Sequence, residues 1–254
     1  MLKKRIIFTL LYQDGSFCLS RNFRLQQVGN LKWLKKNYDF SIIAKSIDEL
    51  ILLNVSRKND SIDDFCKVVQ TFSKECFIPL SVGGKISNLG IVKKYINSGA
   101  DKLVVNTNLF NVLLLKNISQ VYGEQCLIGS IDFSRENNKY KFYTENGKLL
   151  NPLNAKELFK KIHKLPVGEI ILNSIDNDGT GNGFDFNILN HIPKNFSKPL
   201  IFSGGAGNYI HLLEALKKRK IHSIATANLL NFVGNGLQEA RDLIKQKKIE
   251  LAEW

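Results

Sequence analysis

The chain predicts an α/β fold, a (β/α)8 TIM barrel built from two similar half-barrels, on three observations. First, short runs rich in Ile, Val and Leu alternate with longer amphipathic stretches from end to end of the 254 residues. Second, the runs are apolar throughout instead of alternating, the pattern of strands buried on both faces of a parallel sheet. Third, the chain repeats itself at about half its length. Ser81-Val-Gly-Gly84 is answered by Phe202-Ser-Gly-Gly205, Glu49-Leu-Ile-Leu52 by Glu169-Ile-Ile-Leu172, and Leu103-Val-Val-Asn-Thr107 by Ser223-Ile-Ala-Thr-Ala227, each about 120 positions later. A period this long points to two duplicated halves, about 1–122 and 123–254, and not to a solenoid.

The strand candidates, in order, are Arg5–Leu11, Glu49–Val55, Ile78–Val82, Lys102–Val105, Cys126–Asp132, Glu169–Ser174, Leu200–Ser203 and Ser223–Ala225. Between them lie helix candidates such as Ile62–Phe72, Leu89–Asn97, Ala155–His163, Tyr209–Lys218 and Leu237–Lys245. Eight βα units in about 250 residues is the arithmetic of a barrel; a doubly wound open sheet needs fewer units and leaves the repeat unexplained. Two βα connections are long. One runs from about Tyr12 to Gln27, and the other follows Asp132, where Tyr140 to Tyr143 and then Asn146-Gly147 predict a hairpin with its turn. Barrel sites sit at the C-terminal ends of the strands, so both connections are expected to overhang the site.

Composition narrows the function classes. Apolar residues make up 44% and charged residues 23%, ordinary for a protein with a sizeable core. No apolar run is long enough to span a bilayer, and the N-terminus passes from charge directly into a strand, unlike a signal peptide; a cytoplasmic location is expected, with no membrane partner. Cys18, Cys66, Cys76 and Cys126 are scattered without a C-x-x-C pair, and the four histidines are dispersed. The thiols are expected to be free, with no metal site and no cofactor. The net charge of +13 lies in short lysine groups on helix candidates without interleaved aromatics. That favours solvated helix faces over nucleic-acid binding, while a positive field would steer a polyanionic small molecule.

Candidate chemistry gathers at strand ends. Gly83-Gly84 and Gly204-Gly205-Ala206-Gly207 each follow a strand and precede a helix, where glycine lets backbone N–H groups converge on an anion at a helix N-terminus. Asn106-Thr107 in one half, and Ser203 with Thr226-Ala227 in the other, complete two phosphate cups on one face. That arrangement suits a ligand with a phosphate at each end. Asp132 closes its strand where a barrel places a catalytic side chain, and Asp176 and Asp178 run into the turn Gly179-Thr180. A two-carboxylate acid/base device would place its second member one period from Asp132, at Leu11.

Together these residues resemble the cyclase subunit of imidazole glycerol phosphate synthase, a HisF-like lyase of histidine biosynthesis. The resemblance runs from Met1 to about residue 245. It is carried by Lys4-Arg-Ile-Ile7 with Asp14-Gly15, Val82-Gly-Gly84, Gly99-Ala-Asp-Lys102, Val105-Asn-Thr107, Ile131-Asp132, Gly168-Glu-Ile-Ile-Leu-Asn-Ser-Ile-Asp-Asn-Asp-Gly-Thr180 and Ser203-Gly-Gly-Ala-Gly207. It implies a bisphosphate ribonucleotide substrate and a glutaminase partner docked at the barrel bottom. It also implies an ammonia channel through the barrel, with substrate held around Asp178, Gly179, Thr180 and the two cups. The four charges that ring the family's ammonia entrance fall on Arg5, Glu49, Lys102 and Glu169.

Three departures qualify the resemblance. The family's first-strand acid/base aspartate falls on Leu11, a first-loop lysine on Leu19, and the third glycine of the first phosphate turn on Lys85. Loss of an acid/base group costs about 10²- to 10⁴-fold in rate. The expectation is therefore a paralogue that receives ammonia from a glutaminase and supplies it for amidination of an activated sugar in surface-polysaccharide biosynthesis, with a sugar amidotransferase as a further partner. The alternatives are the histidine-pathway cyclase itself and a non-catalytic ammonia conduit or scaffold.

Overall fold

Each apolar run forms a strand. The computed structural model describes residues 3–57, 61–227 and 236–252. In chain order the strands are β1 (Arg5–Gln13), β2 (Ser16–Arg21), β3 (Arg24–Gly29), β4 (Glu49–Asn54), β5 (Leu80–Gly83) and β6 (Lys102–Val105). They continue with β7 (Leu127–Glu136), β8 (Lys139–Thr144), β9 (Leu149–Asn151), β10 (Glu169–Ser174), β11 (Leu200–Ser203) and β12 (Ile221–Thr226). The helices are α1 (Leu31–Asn37), α2 (Phe40–Ile43), α3 (Ile62–Glu75), α4 (Leu89–Asn97), α5 (Val112–Tyr122), α6 (Ala155–His163), α7 (Tyr209–Lys217) and α8 (Gly236–Gln246). A short 3-10 segment, Phe186–His191, replaces a helix between β10 and β11.

Eight of these strands pair in parallel in the order β1-β4-β5-β6-β7-β10-β11-β12, and pairing of β12 with β1 closes a barrel. Side chains alternate across each strand, so one parity faces the helices and the other the axis. Ile6, Phe8, Leu10, Leu50, Leu52, Leu103, Ile131, Ile170 and Leu172 pack outward into the core shared with the helices. A separate inner cluster of Ile7, Ile51, Val104, Ile128, Ile171, Ile201 and Ala225 plugs the barrel.

Five helices start at an asparagine. Asn30, Asn88, Asn111, Asn154 and Asn208 cap α1, α4, α5, α6 and α7 by accepting N–H bonds from their first turns. The cap of α4 (Asn88, φ −159°) is matched at the equivalent position of α7 (Asn208, φ −160°). The sequence repeat is thus also a repeat of backbone shape.

The two long connections are more regular than the sequence predicts. The first is a hairpin, β2 paired with β3, turning at Asn22-Phe23 with both residues left-handed (φ 49° and 60°). In the second, β7 runs past Asp132 to Glu136 and turns at Asn137-Asn138 (φ 48° and 61°) into β8; Asn146-Gly147 lies in the next turn, leading to β9. Two left-handed residues give a type I′ turn whose twist suits a hairpin, and asparagine tolerates it without glycine.

The seam between the chain ends is held by one buried ion pair. Arg241 on α8 donates from Nη1 and Nη2 to Asp48 Oδ2 (3.0 Å) and Oδ1 (2.7 Å), and also to the Ala252 carbonyl. Asp48 accepts the Ile6 N–H at 2.8 Å as well, so its carboxylate ties α8 to β1. Both side chains are buried. Arg241→Met should therefore cost about 3–5 kcal/mol by leaving the Asp48 charge unpaired. Urea unfolding checks this; a loss below 1 kcal/mol would show that water reaches the seam.

Candidate active site at the barrel mouth

The barrel floor carries a closed ring of four charges. Arg5, Glu49, Lys102 and Glu169 open β1, β4, β6 and β10 on the inward parity. Arg5 Nη1 lies 2.8 Å from Glu49 Oε2, and Lys102 Nζ lies 3.1 Å from Glu49 Oε2 and 2.9 Å from Glu169 Oε1. A pair between Arg5 and Glu169 completes the circuit, and Ser81 Oγ donates to Glu49. Two cations alternate with two anions, so each charge is offset by its neighbours as burial demands. Burial pushes the Glu169 carboxyl up, but Arg5 and then Lys102 outweigh it and hold it below its ordinary value of 4.5. Its stabilising effect is therefore present above that value and lost as the pH falls through the lowered one.

The opposite end opens into a cavity of about 720 Å³. Asp132 stands in its wall, 3% exposed. Asn106 Nδ2 donates to Asp132 Oδ2 (3.2 Å) and to the Ser130 carbonyl (3.2 Å), and the Gly147 N–H reaches the same Asp132 oxygen at 3.1 Å. Burial dominates and pushes the Asp132 carboxyl up to about 7; hydrogen bonds from Asn106, Gly147 and Asn173 pull the other way, and the Asp178 charge adds to the rise. A carboxyl poised near neutrality can either hold or accept a proton there. Leu11 lines the same cavity. In the strand order β1 and β7 are four steps apart in either direction, so Leu11 faces Asp132 across the barrel.

Both hairpins roof this mouth and meet over it. Asp178 accepts from Ser20 Oγ and from the Phe23 N–H (3.0 Å), while its carbonyl accepts the Asn22 N–H (2.9 Å). Asn22 Nδ2 donates to the carbonyls of Ile175 (3.2 Å) and Asp176 (2.8 Å). These bonds hold Phe23 in its left-handed conformation, which a bulky residue adopts only when its surroundings over-determine it. Gly179 permits the docking, since a Cβ there would lie 2.0 Å from the Ser20 carbonyl oxygen. From the other side, Gly147 sits beneath the Phe23 ring. Burial raises the Asp178 carboxyl, against the pull of the Ser20 and Phe23 bonds.

The glycine turns flank the mouth. Gly84 and Gly205 are left-handed (φ 98° and 112°), and a Cβ on either would strike a carbonyl oxygen, of Asn54 at 2.1 Å or of Gly183 at 2.0 Å. Lys85, in the turn beside Gly84, adopts φ 58°, so a lysine holds a conformation suited to glycine. Gly84, Asn106 and Thr107 line the main cavity. Ser203 and Ala227 lie between it and a side pocket of about 200 Å³ that also takes in Gly179, Gly204, Gly205 and Thr226. Gly83 points into the barrel between Leu53 and Val104, and the Thr180 hydroxyl donates to the Asn177 carbonyl at 2.8 Å, inside its own turn. Sequence reasoning missed Asn173, which its inward parity with Glu169 and Ile171 would have revealed, and the hairpin residues Ser20 and Phe23, for which the sequence holds no signal. Among the described residues no group of His, Cys, Asp and Glu side chains is arranged to hold a metal, and no helix is long and apolar enough to cross a membrane.

Fold and site define the class: a (β/α)8 barrel whose mouth holds two buried carboxylates, Asp132 and Asp178, between twin glycine turns. Known proteins place it further. The profile of a family described as "Histidine biosynthesis protein" matches residues 36–234. A provisionally named imidazole glycerol phosphate synthase subunit hisF2 of Parasynechococcus marenigrum is 44% identical over 256 residues, covering 100% of this chain and 95% of the relative. The imidazole glycerol phosphate synthase subunit HisF of Leptospira biflexa is 35% identical over 207 residues (80% and 81%), and that of Chlorobaculum parvum 34% over 251 residues (98% of each). The chain belongs to the histidine biosynthesis protein family and, within it, to the barrels resembling the cyclase subunit of imidazole glycerol phosphate synthase.

The raised Asp132 carboxyl has a consequence for stability. The ionised form is disfavoured in the fold, so the penalty is absent below about 3.8, the ordinary value, and complete above about 7. Asp132→Asn should therefore stabilise the protein at pH 8 by on the order of 4 kcal/mol and change little near pH 4. Thermal melting at the two pH values checks the sign; equal effects at both would show that Asp132 is solvated.

Proposed function

We propose that this barrel is an ammonia-receiving subunit that no longer performs the cyclase step of its relatives. A glutaminase docks on the floor, ammonia enters through the ring of Arg5, Glu49, Lys102 and Glu169, and it passes along the apolar interior to the mouth. There a phosphorylated ligand is held at the cups of Gly84, Asn106 and Thr107 on one side and Ser203, Gly204, Gly205, Thr226 and Ala227 on the other. The acceptor is an activated sugar that becomes amidinated in surface-polysaccharide biosynthesis, with a sugar amidotransferase as the further partner.

The observation that carries this reading is that Leu11 stands opposite Asp132 across the cavity, at the place where the repeat calls for a second carboxylate. Opening and closing a ring needs one group to give a proton and another to take it. A leucine does neither, and tight binding of the phosphates leaves that barrier in place. The intact ring supports the ammonia half: four charges held at a barrel floor are costly, and a simple plug could be built from aliphatic side chains.

A second reading, the histidine-pathway cyclase, is favoured by one observation. Asp132, raised to about 7, can act as acid in one step and base in the next. The two readings separate in one assay. The purified barrel, given the family's bisphosphate ribonucleotide substrate and an ammonium salt, should show no turnover above background. Turnover near about one per second, within the ordinary enzyme range, would restore the cyclase.

The floor has its own test. Lys102→Glu places three anions against one cation, so it should weaken the complex with the glutaminase at least about tenfold or uncouple glutamine hydrolysis from ammonia use. Unchanged co-purification together with unchanged ammonia transfer would remove the gate from the proposal.

A further inference from the structure

The side pocket beside Gly204 and Gly205 is bordered by two arginines of the β2–β3 hairpin, Arg21 and Arg24. They are the last pair of that ladder, directly opposite each other across the Asn22-Phe23 turn. Like charges so placed repel. Neither guanidinium makes an ion pair or side-chain hydrogen bond among the described residues. The same pocket is lined by Thr226, 4% exposed, whose Oγ1 is buried without a hydrogen-bond partner. A buried hydroxyl left unpaired is costly, and a Thr there is explained by a group that arrives to pair with it.

We propose that Arg21 and Arg24 form a clamp that closes the second cup on a phosphate dianion, with Thr226 Oγ1 donating to it from below. The inference rests on the phosphate reading of the cups given above and adds what that reading lacks, the cations. Guanidinium groups match phosphate oxygens with paired N–H donors, and an anion between them turns the Arg21–Arg24 repulsion into two attractions. The pocket, about 200 Å³, admits a phosphate group and its ester oxygen. Asp178 also borders it, but its carboxylate is occupied by Ser20 and the Phe23 N–H, and two cations face that single anion. The clamp rides on the hairpin that Asp178 docks, so filling the second cup should fasten the roof of the mouth.

The test uses inorganic phosphate with the full chain, followed by thermal melting in low salt, with the sites located in phosphate-soaked crystals. The wild type should bind at both cups and melt higher with phosphate. Arg21→Gln/Arg24→Gln should melt at the same or a slightly higher temperature without phosphate, because the repulsion is gone, and should lose affinity at the second cup by about tenfold or more. Thr226→Val should weaken the same cup several-fold and leave the first unchanged. Wild-type affinity at the second cup in the double variant would overturn the clamp and leave the phosphate reading standing; binding of the wild type at the first cup alone would overturn the clamp and reduce that reading to the first cup. Binding at neither cup in the wild type would overturn the phosphate reading and the clamp together.

Discussion

Closure of the parallel sheet governs everything else in this molecule. Once β12 pairs with β1, each strand residue has only two directions to face, toward the helices or toward the axis. The apolar plug of Ile7, Ile51, Val104, Ile128, Ile171, Ile201 and Ala225 is one layer of the inward parity. The ring below it and the layer that holds Asp132 and Asn173 above it follow from the same parity, shifted along each strand. In β10 the series runs Glu169, Ile171, Asn173: charge, plug, hydrogen-bond donor. One register shift would send all three to the helix face.

The two ends of the axis solve opposite electrostatic problems. At the floor, each charge has an opposite charge beside it, and the Glu169 carboxyl stays low despite its burial. At the mouth, Asp132 is buried against neutral donors, and its carboxyl rises. Burial acts in the same sense at both ends; what differs is the presence of a full countercharge.

The strands were legible because burial on both faces leaves an uninterrupted apolar run, and Leu89–Asn97 and Ala155–His163 stand as helices at their expected limits. The hairpin at Asn22-Phe23 was not legible, because its turn has no glycine and a left-handed Phe23 is tolerated only through its docking on Asp178. At the site, Asp132 and Leu11 were readable from the repeat, since equivalent positions fall on equivalent strands. The commitment of Asn106 to Asp132 was not. It depends on the lateral neighbourhood of β6 and β7, which no local spacing encodes. The connection holding Asn146 and Gly147 was expected over the site, but the bond from the Gly147 N–H to Asp132, set by pairing of β7 with β8, was not.

The docking of the first hairpin on Asp178 also sets an order of events during synthesis. Ser20 and Phe23 leave the ribosome first, and their partner lies 158 and 155 residues further along the chain. At about 5–20 residues per second, that interval is roughly 8–30 seconds. Throughout it the hairpin has no roof to join, Phe23 has no reason to stay left-handed, and β1 has only one of its two parallel neighbours. The mouth is therefore among the last parts of the molecule to take shape, and its cavity does not exist before nearly the whole barrel has been made.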